Sequence, residues 1–154
     1  AVALGVLWQH SVSFLYDARA GMSASEGIGR MGLRDATTSG IGMVLLAMQP
    51  EEQVARIYEG KDIPGYPKGL KSLLRELAAI RKKGYARVEV FPENAVRTPS
   101  HSIAVPVGNP VNSAIALSGW IPETAVDELV KALQQARQEI EAGFGHQKSS
   151  RRSA

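Results

Sequence analysis

Two pairs of short segments rich in β-branched and aromatic residues constrain the fold more than any other feature of this sequence. The pairs are Val2–Trp8 with Ser11–Asp17, and Ser102–Val107 with Ser113–Ser118. Only a few residues separate the two members of each pair, and connections this short join antiparallel strands. A sheet made from such hairpins excludes a doubly wound parallel fold and predicts the α+β class.

Apolar residues recur at helical spacing between the two hairpins and again after the second one. This pattern predicts helices over Leu70–Lys83 and Pro122–Ala142, and alternation predicts a strand over Tyr85–Phe91. Cap candidates before an apolar run predict a helix over Ile41–Met48, and a proline suited to the first turn predicts one over Pro50–Tyr58. Segments rich in glycine, serine or proline predict loops at Gly21–Gly32, with room for a short strand at Ile28–Met31, and at Pro92–Pro99. We therefore expect one domain with an antiparallel sheet and several helices.

Composition excludes several classes of site. The 154 residues are 44% apolar and 21% charged, as in ordinary globular domains, so neither a disordered nor a fibrous chain is expected. Cysteine is absent, which excludes disulfides, thiolate metal sites and cysteine nucleophiles. The three histidines are far apart in sequence, so we predict no metal site.

The net charge of +3 comes from the C-terminal end of the chain. Lys148, Arg151 and Arg152 account for the excess, and the body is close to neutral. No basic DNA-binding surface is therefore evident. We expect residues 146–154 to form a disordered basic tail that follows a domain over residues 1–145.

Sequence motifs give no support for an enzyme. Gly27–Gly32 matches a glycine-rich dinucleotide fingerprint, but it lacks the strand before it and the helix after it that the motif needs. No serine lies on a recognisable nucleophile elbow. We predict no catalytic residue and no cofactor. No apolar run reaches the roughly 18 residues that span a bilayer, so no membrane partner is expected. The chain does not begin with Met, and we expect it to be part of a longer protein.

The segment Thr37–Gly42 supports two interpretations. Because it precedes an apolar helix, its backbone amides and the positive end of the helix dipole would attract an anionic ligand, and Gly40 and Gly42 would let that ligand approach closely. The structural alternative is that Ser39 or Thr38 caps the helix and that the glycines permit close packing of helix on sheet.

The order and spacing of five segments resemble the C-terminal effector-binding domain of the IclR family of bacterial transcription regulators. The segments are Ser39–Ala47, Glu51–Glu52, Leu77–Ala86, Ser102–Val107 and Ala114–Gly119. The resemblance extends from Val2 to about Gly145. It implies a GAF/PAS-like fold, in which a curved antiparallel sheet carries flanking helices.

The resemblance also implies a function. Family members are one-component regulators in which this domain senses a small molecule and a separate N-terminal winged helix-turn-helix binds DNA. For this chain we expect a small organic effector with a carboxylate, a homodimer or homotetramer, a cytoplasmic location, and DNA contact only through that other domain. The alternatives are an oligomerisation module without a specific ligand and, with less support, an enzyme.

Effector-binding positions carry over from the family unevenly. The resemblance implies a pocket at Gly40 and Ile41, whose amides would meet a carboxylate or another polar group of the ligand, and we add the neighbouring Ser39 as a candidate effector-binding residue. The resemblance adds the strand positions Ser102, Ala116 and Ser118, where Ala116 can donate no hydrogen bond. An acidic family position has no clean counterpart, and Glu89, one of the nearest residues, fits a solvent-facing position equally well.

Arg34 is the departure from the family pattern with the clearest chemical consequence. The family more often has leucine here, facing the pocket, and arginine would pair with an effector carboxylate through two hydrogen bonds. The alternative is a surface arginine paired with Asp35 or Glu26. Strand alternation places His101 on the face opposite Ser102. Aromatic residues are assigned to the hairpin core or to an interface, and these are Trp8, Phe14, Tyr16 and Trp120.

Overall fold

The computed structural model describes residues 1–29, 32–90 and 99–151. Six antiparallel strands form one curled sheet in the order β3-β2-β1-β6-β5-β4. The strands are β1 Val2–Trp8, β2 Ser11–Ala18, β3 Leu33–Asp35, β4 Ala86–Val90, β5 Ser100–Gly108 and β6 Val111–Gly119. Pairing of β1 with β6 joins the two hairpins, so the α+β class and the antiparallel sheet are confirmed.

Four helices cover the two faces of the sheet. They are α1 Gly40–Ala47, α2 Glu51–Ile57, α3 Leu70–Lys83 and α4 Val126–Arg151. All eight residues of α1 are buried, as expected for a helix that is apolar on every side. It packs against the sheet on one side and against α3 on the other. Arg81 of α3 donates from Nε to the Ala47 carbonyl at 2.8 Å and so caps the end of α1.

Helix α4 packs against β5 and β6 on the opposite face of the sheet. Its apolar side chains meet large aliphatic residues of the two strands, including Ile103, Val105 and Ile115. A 3₁₀ turn at Glu123–Ala125 precedes the helix. The predicted helix ended at Ala142, whereas the observed backbone stays helical to Arg151. The proposed division of the chain at residue 145 remains a prediction.

The short strand β3 was not predicted. It has three residues and pairs with β2, with Arg34 opposite Val12. A segment this short gives no periodic signal, so only its pairing partner defines it as a strand. The sequence also leaves room for a short strand at Ile28–Met31. The structure shows one isolated β-bridge there, between Ile28 and Tyr16, and residues 30–31 lie outside the described part. The predicted loop is likewise undescribed over 92–98.

A β-bulge interrupts the pairing of β1 with β2. Leu4 lies opposite Tyr16 and Gly5 lies opposite Phe14, so Leu15 has no partner across the ladder. The amide of Gly29 donates to the Leu15 carbonyl at 3.2 Å. An extra residue reverses the in-and-out alternation of all the residues that follow it.

Candidate functional site

A cavity of about 210 Å³ lies between the sheet and the start of α1. The structure brings all seven predicted effector-binding residues together in its wall, and they are Arg34, Ser39, Gly40, Ile41, Ser102, Ala116 and Ser118. Their role in contacting a ligand remains a prediction. The cavity is smaller than the roughly 300–1,000 Å³ pockets that hold drug-sized ligands, which favours a small molecule.

Strand register explains why three of these residues share one face. Ser102 of β5 lies opposite Ser118 of β6, and Ala116 lies opposite Ala3 of β1. Because side chains alternate along a strand, Ser102 points away from the α4 face on which Ile103 is buried. Ser102 is only 5% exposed, so its hydroxyl is available mainly to a group inside the cavity. Ala116 contributes a methyl group alone, as the sequence predicted.

The start of α1 offers two backbone amides. Ser39 caps the helix, since its Oγ accepts a hydrogen bond from the Gly42 amide at 3.3 Å. The Ser39 carbonyl accepts from the Met43 amide at 2.9 Å. Among the described residues, the amides of Gly40 and Ile41 have no hydrogen-bond acceptor. Because these amides lie at the positive end of the helix dipole, they suit an anionic group.

Close packing accounts for both glycines in this segment. A Cβ on Gly40 would lie 2.6 Å from the Ser102 Oγ, and a Cβ on Gly42 would lie 2.2 Å from the Ala36 carbonyl oxygen. Gly42 is absent from the cavity wall. The expectation that Gly42 admits a ligand is therefore wrong, because Ala36 fills that space. Gly40 combines both roles, since it packs on Ser102 and lines the cavity.

Arg34 lies on the cavity side of the sheet. Its register partner on β2 is Val12, which is fully buried against the α1 core. Neither of the ion pairs found between described residues involves Arg34, so its guanidinium is not paired with Asp35 or Glu26 there. The arginine is half-buried, which leaves its charge available to a bound carboxylate.

A second cavity of about 830 Å³ adjoins the first and shares Arg34 and Val90 with it. Tyr66 lies in its wall, and burial raises the pKa of this phenol to about 12, with a further contribution from Glu76. Thr37 donates from Oγ1 to the Pro64 carbonyl at 2.7 Å and ties the loop before α3 to the start of α1. Arg34 can therefore face a ligand in either cavity.

Two alternative site residues fall on the opposite face. Glu89 and His101 are register partners on β4 and β5, next to Val88 and Ser102, which face α1. Glu89 is exposed, which agrees with the solvent-facing alternative, and at this edge of the sheet it also lines the larger cavity. His101 is on the face opposite Ser102, as alternation predicted.

The aromatic residues divide between cavity and surface. Phe14 lines the smaller cavity and packs against the α1 core. Tyr16 lies on the other face, where its ring approaches Gly27. Trp8 and Trp120 are 64% and 71% exposed, so neither belongs to the core of this chain. An interface role for the two tryptophans remains a prediction.

Two charged residues that reach the cavity, at the end of β2 and just after it, were not predicted from the sequence. Asp17 and Arg19 both line it, and Asp17 is 9% exposed. Simple alternation from Val12 and Phe14 places Asp17 on the wrong face. The bulge at Leu15 shifts the side-chain alternation by one residue and so turns Asp17 toward the cavity. No residue type in the sequence predicts this bulge.

Other kinds of site find no support within residues 1–29, 32–90 and 99–151. That part of the chain holds no group of three or more side chains arranged to bind a metal ion. No helix there is both long and apolar enough to cross a membrane. The geometry instead places a helix start with two free backbone amides, an arginine and small polar side chains around one cavity.

The family profile described as "Bacterial transcriptional regulator IclR C-terminal" matches residues 1–142. The chain belongs to the IclR family. This family consists of transcriptional regulators, not enzymes, so the predicted family and the non-enzymatic assignment are confirmed. None of the curated protein sequences shows a significant match.

Solved structures show the same fold. The C-terminal domain of KdgR from E. coli superposes with a TM-score of 0.70 at 24% identity, covering 94% of this chain and 87% of that one. An IclR homologue from Microbacterium hydrocarbonoxydans, complexed with 4-hydroxybenzoate, gives 0.68 at 24% identity over 92% of this chain and 59% of its own. A double mutant of the PobR inducer-binding domain from Acinetobacter, complexed with 3-hydroxybenzoic acid, gives 0.70 at 19% identity over 90% and 85%.

The longer regulators among these neighbours extend well beyond the region of similarity. This chain spans 58% to 61% of their length. The matched region is the C-terminal domain named by the family profile.

Proposed function

We propose that this domain binds a small carboxylic acid in the cavity at the start of α1 and acts as the effector sensor of a transcription regulator. The observation that carries the proposal is the convergence of Arg34 with the Gly40 and Ile41 amides on one cavity. A guanidinium and helix-terminal amides are both complementary to a carboxylate. Ala3, Phe14 and Ala116 would contact the apolar part of the ligand.

The ligands of two structural neighbours support this class. Their complexes contain 4-hydroxybenzoate and 3-hydroxybenzoic acid, which are small organic acids. We infer that the effector of this chain is of similar size and charge. No catalytic step is part of the proposal.

We further propose that the effector is read out through a separate DNA-binding domain in a cytoplasmic regulator. An effector can shift an equilibrium between two arrangements only by binding one of them more tightly. The cavity is bounded by α1 and by residues of all six strands, so closure around a ligand would alter how these elements pack. DNA contact by an N-terminal winged helix-turn-helix belongs to this proposal.

We also propose that the chain forms a homodimer or a homotetramer. Large apolar side chains of the first hairpin and its flanking segment are exposed, and they are Val2, Trp8, Leu15 and Ile28. Helix α4 packs mainly on β5 and β6, and these four side chains stay exposed beside it. The same observation favours the alternative function, an oligomerisation module with no specific ligand, and ligand binding separates the two.

A thermal-shift screen against keto acids, aromatic acids and sugar acids tests the sensor function. A ligand at a hundred times its dissociation constant adds about 2.7 kcal/mol to stability, which raises Tm by roughly 5–10 °C at this chain length. We expect Arg34→Ala to lose the shift and Arg75→Ala, at an exposed position on α3, to keep it. A shift that survives in Arg34→Ala would assign the carboxylate to the α1 amides. No shift with any acid would favour the oligomerisation module.

A further inference from the structure

Asp17 is a charged group that the binding of a simple carboxylate leaves unused. It is 9% exposed and is the only buried acidic residue in the part of the chain that the structure describes. It lies in the wall of the smaller cavity together with Arg19 and Arg34. A negative charge in a pocket for an acid needs an explanation, because it repels the carboxylate that the arginines attract.

The bulge at Leu15 turns Asp17 toward the cavity. Val12 and Phe14 face α1, so regular alternation would send Tyr16 to the cavity and Asp17 to the other face. With Leu15 unpaired, Tyr16 instead lies opposite Leu4, which packs on the α4 side. Asp17 then lies opposite Ala3, which lines the cavity. Bulges next to binding sites commonly redirect one side chain in this way.

Asp17 has no hydrogen-bond donor of its own. Between described residues, ion pairs within 4.0 Å join Arg87 to Glu123 and Arg137 to Glu141, and neither involves Asp17. No described side-chain hydrogen bond reaches its carboxylate either. An ionised carboxylate only accepts hydrogen bonds, and solvent still reaches the oxygens of Asp17 through the cavity. A ligand that displaces this solvent must therefore supply a hydrogen-bond donor in its place, because burying the carboxylate without one is costly.

We propose that Asp17 accepts a hydrogen bond from a hydroxyl or ammonium group of the effector, while Arg34 and the α1 amides hold the effector's carboxylate. The inference rests on the proposed function and narrows it. The effector class becomes small carboxylic acids that also carry a hydrogen-bond donor. Asp17 then determines specificity, because an acid without the donor would leave the buried carboxylate unpaired.

Matched probes test this in the unmodified chain by isothermal titration calorimetry. Benzoate is compared with 3- and 4-hydroxybenzoate, and propanoate with lactate and alanine. We expect an acid with a donor to bind roughly ten- to a hundredfold more tightly than its unsubstituted partner, the size of one hydrogen bond to a charged group. Lactate against alanine distinguishes a hydroxyl from an ammonium donor. Equal affinities within each series would overturn the inference.

Asp17→Asn provides the second measurement, since it keeps the side-chain shape and removes the charge. We expect it to reduce the preference for the donor-bearing acid, because the amide oxygen that remains is a weaker acceptor than a carboxylate, whereas Asp127→Asn, at an exposed position in the first turn of α4, should keep that preference. Circular dichroism and thermal melting check that both variants fold. An unchanged preference in folded Asp17→Asn would overturn the role of Asp17 and leave the sensor function intact. If no acid in either series binds, the proposed function itself fails, and this inference fails with it.

Discussion

Strands β5 and β6 place large aliphatic side chains on one face of the sheet and small ones on the other. Toward α4 they present Ile103, Val105, Val107, Ile115 and Leu117. Toward α1 they present Ser102, Ala104, Ala114, Ala116 and Ser118. The large face is filled by the side chains of the strands and of α4. The small face leaves room for a fully buried helix and, at its start, for a cavity.

This difference shows that the site depends on the absence of side-chain volume as much as on polar groups. Gly40 belongs to the same pattern, because any side chain there would collide with Ser102. Close approach of α1 to β5 brings the helix amides to the sheet surface. Protein interiors are otherwise packed to nearly crystalline density, so a face of small residues is a prerequisite for the cavity.

The largest expected effect is the difference in stability loss between variants of Ile103 and Ser102, which are adjacent in β5 but face opposite sides of the sheet. Ile103 is fully buried against α4, and Ile103→Ala should lower the free energy of unfolding by about 2–5 kcal/mol because it leaves a void. Ser102→Ala should cost about 1 kcal/mol or less in stability, but it should weaken ligand binding. Urea denaturation and calorimetry measure both quantities. Similar stability losses for the two variants would contradict the division between the faces.

Two helical glycines give effects of opposite sign. A Cβ on Gly42 would lie 2.2 Å from a backbone oxygen of Ala36, so Gly42→Ala should destabilise the domain by about 1–3 kcal/mol. Gly143 on α4 has open space around it, and Gly143→Ala should stabilise by roughly 0.5–1 kcal/mol through helix propensity. The urea-denaturation midpoints of the two variants measure both changes in stability. A gain in stability for Gly42→Ala would show that α1 does not need this close contact.

We expect a substitution that fills the cavity to lower ligand affinity, and a neighbouring substitution on the α4 side to lower stability instead. Ala116→Leu places a larger side chain in the cavity wall, and we expect roughly a ten- to hundredfold loss of affinity for an acid ligand. Leu117→Ala, the next residue on the α4 side, should lower stability and leave affinity unchanged. Calorimetric titration of both variants tests this. Unchanged affinity in Ala116→Leu would place the ligand elsewhere.

The smallest expected effect is the pH dependence of the stability that Glu141 of α4 provides. The pKa of Glu141 is lowered by its hydrogen bonds with the Arg137 side chain and the Gly108 amide, at 2.9 Å each. The contribution of Glu141 to the free energy of unfolding is therefore complete above the ordinary carboxyl pKa, and it is lost as the pH falls through the lowered pKa. Glu141→Gln should melt slightly below the unmodified chain at pH 7 and together with it at strongly acidic pH. A difference that persists in acid would exclude this ionisation as the cause.

The sequence predicts the elements that have periodic patterns and misses those that depend on pairing. Ile41–Met48 and the two hairpins follow directly from apolar runs, and the cap at Ser39 follows from its residue type. Strand β3 has three residues and becomes a strand only because β2 lies beside it. The resemblance to the family identified the seven predicted cavity positions. Asp17 was missed because a bulge is set by the register between strands and not by a local residue pattern.

A two-dimensional ¹H–¹⁵N NMR titration of the chain with 4-hydroxybenzoate tests the central claim most directly, because it reports on individual backbone amides. We expect the largest shifts at Gly40 and Ile41, and we expect Ser102 and Ser118 to shift with them. Residues of α4, such as Leu129 and Leu133, should change little. Shifts confined to the exposed first hairpin, or no saturable shift at all, would contradict an effector site at the start of α1.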